Sequence, residues 1–116
     1  MSLEILTPSS APGARHRVVA LKGQLETTTV PQFEAFYKQE LEAPPFHWII
    51  DLKDCEYISS AGLAALMGIK HRLEPRQGRV CIAGVSDKVM KVFKLLGLLP
   101  LFEFFPDAAS AVATVK

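Results

Sequence analysis

The sequence predicts an α/β fold, a mixed, mostly parallel sheet of about four to five strands with helices packed on it. Two observations carry this. Short strand-like runs alternate with longer segments of helical spacing along most of the chain, the order that right-handed βαβ crossovers produce. The runs "HWIIDL" and "RVCIAGV" are also almost continuously apolar, as strands are when both faces of a sheet are covered. No internal repeat interrupts the pattern. The 116 residues suit one domain over 1–116, long enough to bury a real core.

The elements follow in order. A short strand near Leu3–Leu6 leads into "TPSSAPGAR", a turn rich in Pro, Ser and Gly. "HRVVALKGQL" gives a β-branched run from His16 to Lys22 that Gly23 stops. "ETTTVPQFEAFYKQELEA" has threonine caps, an early Pro31, and Phe33, Phe36, Tyr37 and Leu41 on one helical face. Pro44 and Pro45 end that helix, since neither can donate its N–H. After the strand "HWIIDL" comes a loop, "KDCEYISS", and then a helix from about Ser60 to Leu73. "EPRQG" is a turn before the strand "RVCIAGV". "SDKVMKVFKLLG" opens on a Ser–Asp cap signal and closes on Gly97 as a C′ glycine. "LFEFF" is a last short strand, and "PDAASAVATVK" is a terminal helix.

Composition excludes several function classes. Thirteen basic against twelve acidic residues leave a net charge of +1, too balanced for a dedicated nucleic-acid binder. No apolar run approaches the roughly 18 residues a spanning helix needs, and "MSLEILTPSS" lacks a signal peptide's charged start and apolar stretch. The reading is a cytoplasmic protein with no membrane insertion. Cys55 and Cys81 lack a Cys-x-x-Cys partner and read as small buried thiols rather than a redox or metal pair. His16, His47 and His71 are scattered without metal-ligand spacing. Neither Gly-x-x-x-x-Gly-Lys nor Gly-x-Gly-x-x-Gly occurs, so no cofactor is expected.

The chemistry concentrates at Ser59 and Ser60, a strand-to-helix junction of the kind where open α/β sheets place their sites. One reading is a cap: a serine at a helix start accepts a bond from a free backbone N–H. That explains one serine better than two. A nucleophile elbow would read Gly-x-Ser-x-Gly. Here Gly62 follows Ser60, but Ile58 stands where the first glycine should be, and no activating base is evident by pattern. A small hydrolase is therefore disfavoured. The third reading makes Ser60 an acceptor for a phosphoryl group delivered by another protein. A phosphate there would meet the positive end of the helix and add about −1.5 to −2 charges to the surface.

"GQLE" at Gly23–Glu26, "WIIDLKDCEYISSAGLAAL" at Trp48–Leu66, "GRVCIAGV" at Gly78–Val85 and "VFKLLGL" at Val92–Leu98 resemble, in order, the pattern of STAS domains. The likeness is to bacterial anti-sigma factor antagonists and covers nearly the whole chain. It implies a binding protein and not an enzyme. The serine that this family presents to an anti-sigma factor kinase falls on Ser60, with Gly62 and Leu63 completing its motif. The partner-binding surface implied is Glu26, Ser59, Ser60, Ala61, Gly62, Leu63 and Ala64. The unphosphorylated form would bind an anti-sigma factor serine kinase of the histidine-kinase-like ATPase class and release the sigma factor. The kinase would bring ATP and Mg²⁺ itself. The chain departs from the pattern twice: Ser59 replaces the aspartate before the phosphoserine, and Glu26 replaces the aspartate ending the Gly-x-x-Asp turn. Ser59 is accordingly a second candidate acceptor. The alternative within the fold is a STAS subunit of a lipid or solute ABC transporter docking on its ATPase. A monomer or weak dimer is expected.

Three further features carry two readings each. Ala61, Ala64, Ala65 and Gly68 leave one side of their helix small, for packing on the sheet or for a partner's helix. Lys88, Lys91 and Lys94 form a stripe opposite Val89, Val92 and Leu96, either a solvated face or one for an acidic partner. Leu98, Leu99, Leu101 and Phe102 read as core under the last helix, or else as interface anchors.

Overall fold

Strand β2 (Arg17–Leu25) organises the sheet. In this computed structural model, which describes residues 2–8 and 14–115, it pairs antiparallel with β1 (Leu3–Leu6) on one side. On its other side the first half, Arg17–Ala20, runs parallel to β3 (His47–Asp51). The second half, Gly23–Leu25, runs parallel to β4 (Cys55–Ile58). Beyond β3 lie β5 (Arg79–Ala83) and β6 (Glu103–Phe105), both parallel, giving a six-stranded mixed sheet. The helices are α1 (Val30–Glu40), α2 (Ser60–Leu73), α3 (Asp87–Leu95) and α4 (Ala108–Val112). The α/β class and mostly parallel sheet agree with the sequence reading. Residues 9–13 of the turn expected over 7–15 lie outside the described residues, as does Lys116 at the end of the expected terminal helix.

Two places extend the sheet beyond expectation. Gly23 does not stop β2. It takes φ +112, which a side chain would strain, and its N–H donates to the Asp54 carbonyl at 3.1 Å. The pairing with β4 shifts register between Gly23 and Gln24, as at a β-bulge. The segment read as a loop, "KDCEYISS", therefore contains β4. A turn after Asp51, whose Oδ1 accepts from the Lys53 N–H at 3.1 Å, brings the chain beside the second half of β2 without reversing its direction.

Alternation along the strands divides the interior in two. Trp48, Ile50, Val80 and Ile82 face α1, α2 and α3, where Phe33, Tyr37, Leu63, Leu66, Ile69, Leu73, Val89 and Phe93 cover them. Ile49, Cys81 and Ala83 face the other way and meet Ala111 of α4. This is why β3 and β5 read as unbroken apolar runs. Cys55 belongs to the first cluster and Cys81 to the second, so the sheet separates them. Burial pushes both thiols above their ordinary pKa. Alkylation by iodoacetamide is accordingly expected only after denaturation; rapid labelling of the native protein would contradict this burial.

The helix ends follow local rules with one exception. Ser86 caps α3, its Oγ accepting from Val89 N–H at 3.2 Å, and Asp107 caps α4 through Ser110 N–H at 2.7 Å. At the end of α3, Gly97 (φ +69) donates to Lys94 O and Leu98 to Phe93 O, the paired bonds of a Schellman turn. The exception is Thr29. It stands at the N-cap of α1 without capping forward, because its hydroxyl accepts from Glu26 N–H at 3.0 Å and donates to Gln24 O at 2.8 Å.

Two packing expectations change. Phe102 lies under α3 and not α4, with Phe93 stacked edge-on against both Phe102 and Phe104 at 5.9 and 5.2 Å. Leu96, expected on the core side of α3, is exposed because the helix has ended; Phe93 takes the core position.

Candidate functional site

The register between β2 and β4 builds the site. Leu25 pairs with Ile58, so Glu26 and Ser59 leave neighbouring parallel strands side by side. Ser59 N–H donates to Leu25 O at 3.0 Å and closes the junction. These are C-terminal strand ends followed by the starts of α1 and α2, the edge where such sheets place ligands and partners.

The two serines have different jobs. Ser59 has extended backbone (φ −100, ψ 175), and its Oγ accepts from Gly62 N–H at 3.3 Å. It is the cap of α2. Ser60 is the first helical residue, exposed, and its hydroxyl has no protein partner among the described residues. Ser59→Ala should therefore cost about 1 kcal/mol, roughly 4 °C in thermal midpoint for a chain of this size. Ser59→Asp should hold the parental midpoint, since aspartate caps equally well. An unchanged midpoint in Ser59→Ala would show that this cap contributes nothing.

The remaining residues of the expected surface divide by burial. Ala64 is exposed one turn beyond Ser60, and Ala61 is half-buried. Gly62 and Leu63 are buried, Leu63 in the main core, so they position the helix and offer a partner no contact in this structure. A Cβ on Gly62 would lie 2.5 Å from the Leu25 carbonyl oxygen, which is why α2 can approach β2 so closely. The small side chains of α2 also find their neighbours within the chain. Ala65 is buried, and Gly68 makes room for the Tyr37 hydroxyl of α1. That close approach is by a neighbouring helix, neither the sheet nor a partner.

Glu26 is turned inward. Its carboxylate accepts from the Thr28 hydroxyl and from the Thr28 N–H at 3.1 Å. Those two bonds, the hydroxyl first, hold its pKa below the ordinary carboxylate range. The linkage sign follows: this bonding is intact above that range and is lost as pH falls through the lowered value. Glu26 thus orders the loop before α1, and its charge stays at the junction beside Ser59. Tyr57 on β4, outside the expected partner-binding surface, is 40% exposed next to this edge. Its signal in the sequence is an aromatic residue two positions before Ser59.

Among the described residues no group of three or more His, Cys, Asp or Glu side chains could hold a metal. None of their helices is long and apolar enough to cross a membrane.

Comparison with known proteins places the arrangement. The STAS domain family matches residues 10–111. A protein of Staphylococcus aureus named anti-sigma-B factor antagonist is 28% identical over 83 residues, covering 72% of this chain and 77% of its own. The crystal structure of an anti-sigma factor antagonist from Mycobacterium paratuberculosis superposes with a TM-score of 0.86 at 23% identity, over 98% of this chain and 94% of that one. The Bacillus cell fate determinant SpoIIAA in its phosphorylated form gives 0.72 at 21% identity, over 99% and 100%.

Proposed function

The chain belongs to the STAS domain family, and from that premise we propose that it is an anti-sigma factor antagonist working by partner switching. In its unphosphorylated form it binds an anti-sigma factor that is also a serine kinase, and the sigma factor is released. The kinase transfers the γ-phosphoryl group of its ATP to Ser60 Oγ. The bond to the leaving ADP breaks, and the serine proton passes to the kinase or solvent. The phosphoserine then blocks rebinding. The protein acts by binding, without turnover of its own.

One observation carries this reading. Ser60 presents an exposed hydroxyl with no protein partner among the described residues, while Ser59 serves as the cap. A modification at Ser60 therefore leaves the helix start intact, and its charge sits at the favourable end of the α2 dipole. The names of the relatives support the partner class.

The test is capture of the partner from native cells, followed by incubation with ATP and Mg²⁺ and mapping of the modified residue. Recovery of a kinase-type anti-sigma factor and phosphate on Ser60 are expected. Recovery of a transporter ATPase with no phosphate transferred would replace this reading with the transporter-subunit alternative. Phosphate on Ser59 instead would move the switch onto the cap.

A further inference from the structure

We propose that the outward face of α3 docks this protein on an anionic lipid surface. Lys88, Lys91 and Leu95 fall at i, i+3 and i+7, one exposed row along the helix. Leu95 is 84% exposed, the most exposed large apolar side chain described. Lys94 stands beside it, and exposed Leu96 follows it at the helix end. Asp87 stands at the helix start, and Asp54 and Glu56 lie near Lys88. None of the three lysines forms an ion pair among the described residues. The inner side of α3 is already used by Val89 and Phe93 in the core, so the outer leucines are additional to what folding requires.

The composition of the patch selects its occupant. A second copy of the chain, docked face to face, would gather six lysines against two aspartates in one interface. A protein partner is poorly matched, because interface centres favour Trp, Tyr and Arg and are depleted in Lys, with Leu under-represented among hot spots. Aliphatic tips ringed by lysine are the composition of segments that lie in a membrane interface. There the leucines enter the acyl boundary while the lysine stems reach back to the headgroups. Lys88 also lines a cavity of about 450 Å³ with Lys22 and Lys53, bordered by Asp54 and Glu56, which carries cationic groups beyond the helix. The docking is peripheral, needs no spanning helix, and does not depend on Ser60.

The experiment is co-sedimentation of the purified protein with phosphatidylcholine vesicles, alone or with about 30% phosphatidylglycerol. The parent should pellet with the anionic vesicles only and be released by high salt. Each lysine contributes about fivefold, so Lys88→Glu/Lys91→Glu/Lys94→Glu should lose binding altogether. Leu95→Ser should weaken it about tenfold. Both variants should retain the parental circular dichroism, since the altered side chains are exposed. Ser60→Asp should bind vesicles like the parent, which separates this result from the fate of the switch. No sedimentation, equal binding to neutral vesicles, or full binding by Leu95→Ser would overturn the proposal. So would light scattering that shows a dimer dissociated by Leu95→Ser, because a second copy would then cover the patch.

Discussion

Ser60→Asp is expected to keep the parental thermal midpoint and to bind the proposed anti-sigma partner at least about tenfold more weakly, roughly 1.4 kcal/mol. The stability half follows from the division of labour at the junction. Ser59 supplies the cap, so position 60 is an exposed first-turn site. A carboxylate there lies near the positive end of the α2 dipole, which tolerates or slightly favours it. The affinity half follows from desolvation. When a partner covers this edge, an unmatched charge is stripped of water and penalised. Ser60→Ala is the control: it should keep its midpoint within about 0.5 kcal/mol, bind like the parent, and accept no phosphate at that position. The measurement is partner affinity and thermal midpoint for the three proteins side by side. If Ser60→Asp binds as tightly as the parent, the switch is not at Ser60. If it binds weakly but is also unfolded, position 60 is structural and the division between the serines is wrong.

That division shows where sequence reading reached its limit. The junction itself was legible: an apolar strand, a serine pair, then a helix from Ser60 to Leu73, which are the bounds of α2. Which serine caps was not, because it turns on a single residue of offset in where helical dihedrals begin. The strand Cys55–Ile58 escaped for a related reason. It has four residues, buried only at its two ends, so neither alternation nor a continuous apolar run marks it. Its partner is the half of β2 beyond Gly23, and only the bulge there makes the pairing available. Glu26, expected on the partner-binding surface, lies at the end of β2 beside Ser59. Its inward turn depends on Thr28 two residues later, a contact that residue type alone does not specify. Leu63 sat in the expected surface through its motif, yet position four of a helix that rests on a sheet falls on the core side. The separation of Cys55 from Cys81 depended on which face of the sheet each strand presents. That in turn required β4 to be a strand.

Gly62→Ala and Gly68→Ala should have different consequences although they make the same change in the same helix. By propensity alone each would favour the helix by up to about 1 kcal/mol. At position 68 the new Cβ would meet the Tyr37 hydroxyl at 2.6 Å. That oxygen is the far end of a side chain, and its bond to Glu34 is long, at 3.5 Å. A small shift relieves the contact, so the net change should stay within about 0.5 kcal/mol of zero. At position 62 the obstacle is the Leu25 carbonyl at 2.5 Å, with Ile58 Cγ1 at 2.9 Å behind it. Backbone cannot swing aside, and this same carbonyl accepts the Ser59 N–H that closes the junction. Relief requires α2 to lift from β2 and β4, at a typical overpacking cost of about 1–3 kcal/mol. Gly62→Ala should therefore lose about 2 kcal/mol, close to 8 °C in midpoint. If Ser60 is the proposed phosphorylation site, its modification should also slow, because the helix start that presents the hydroxyl has moved. Thermal denaturation of both variants with the parent decides it. Equal midpoints for Gly62→Ala and the parent would mean that the junction is looser than this carbonyl contact implies.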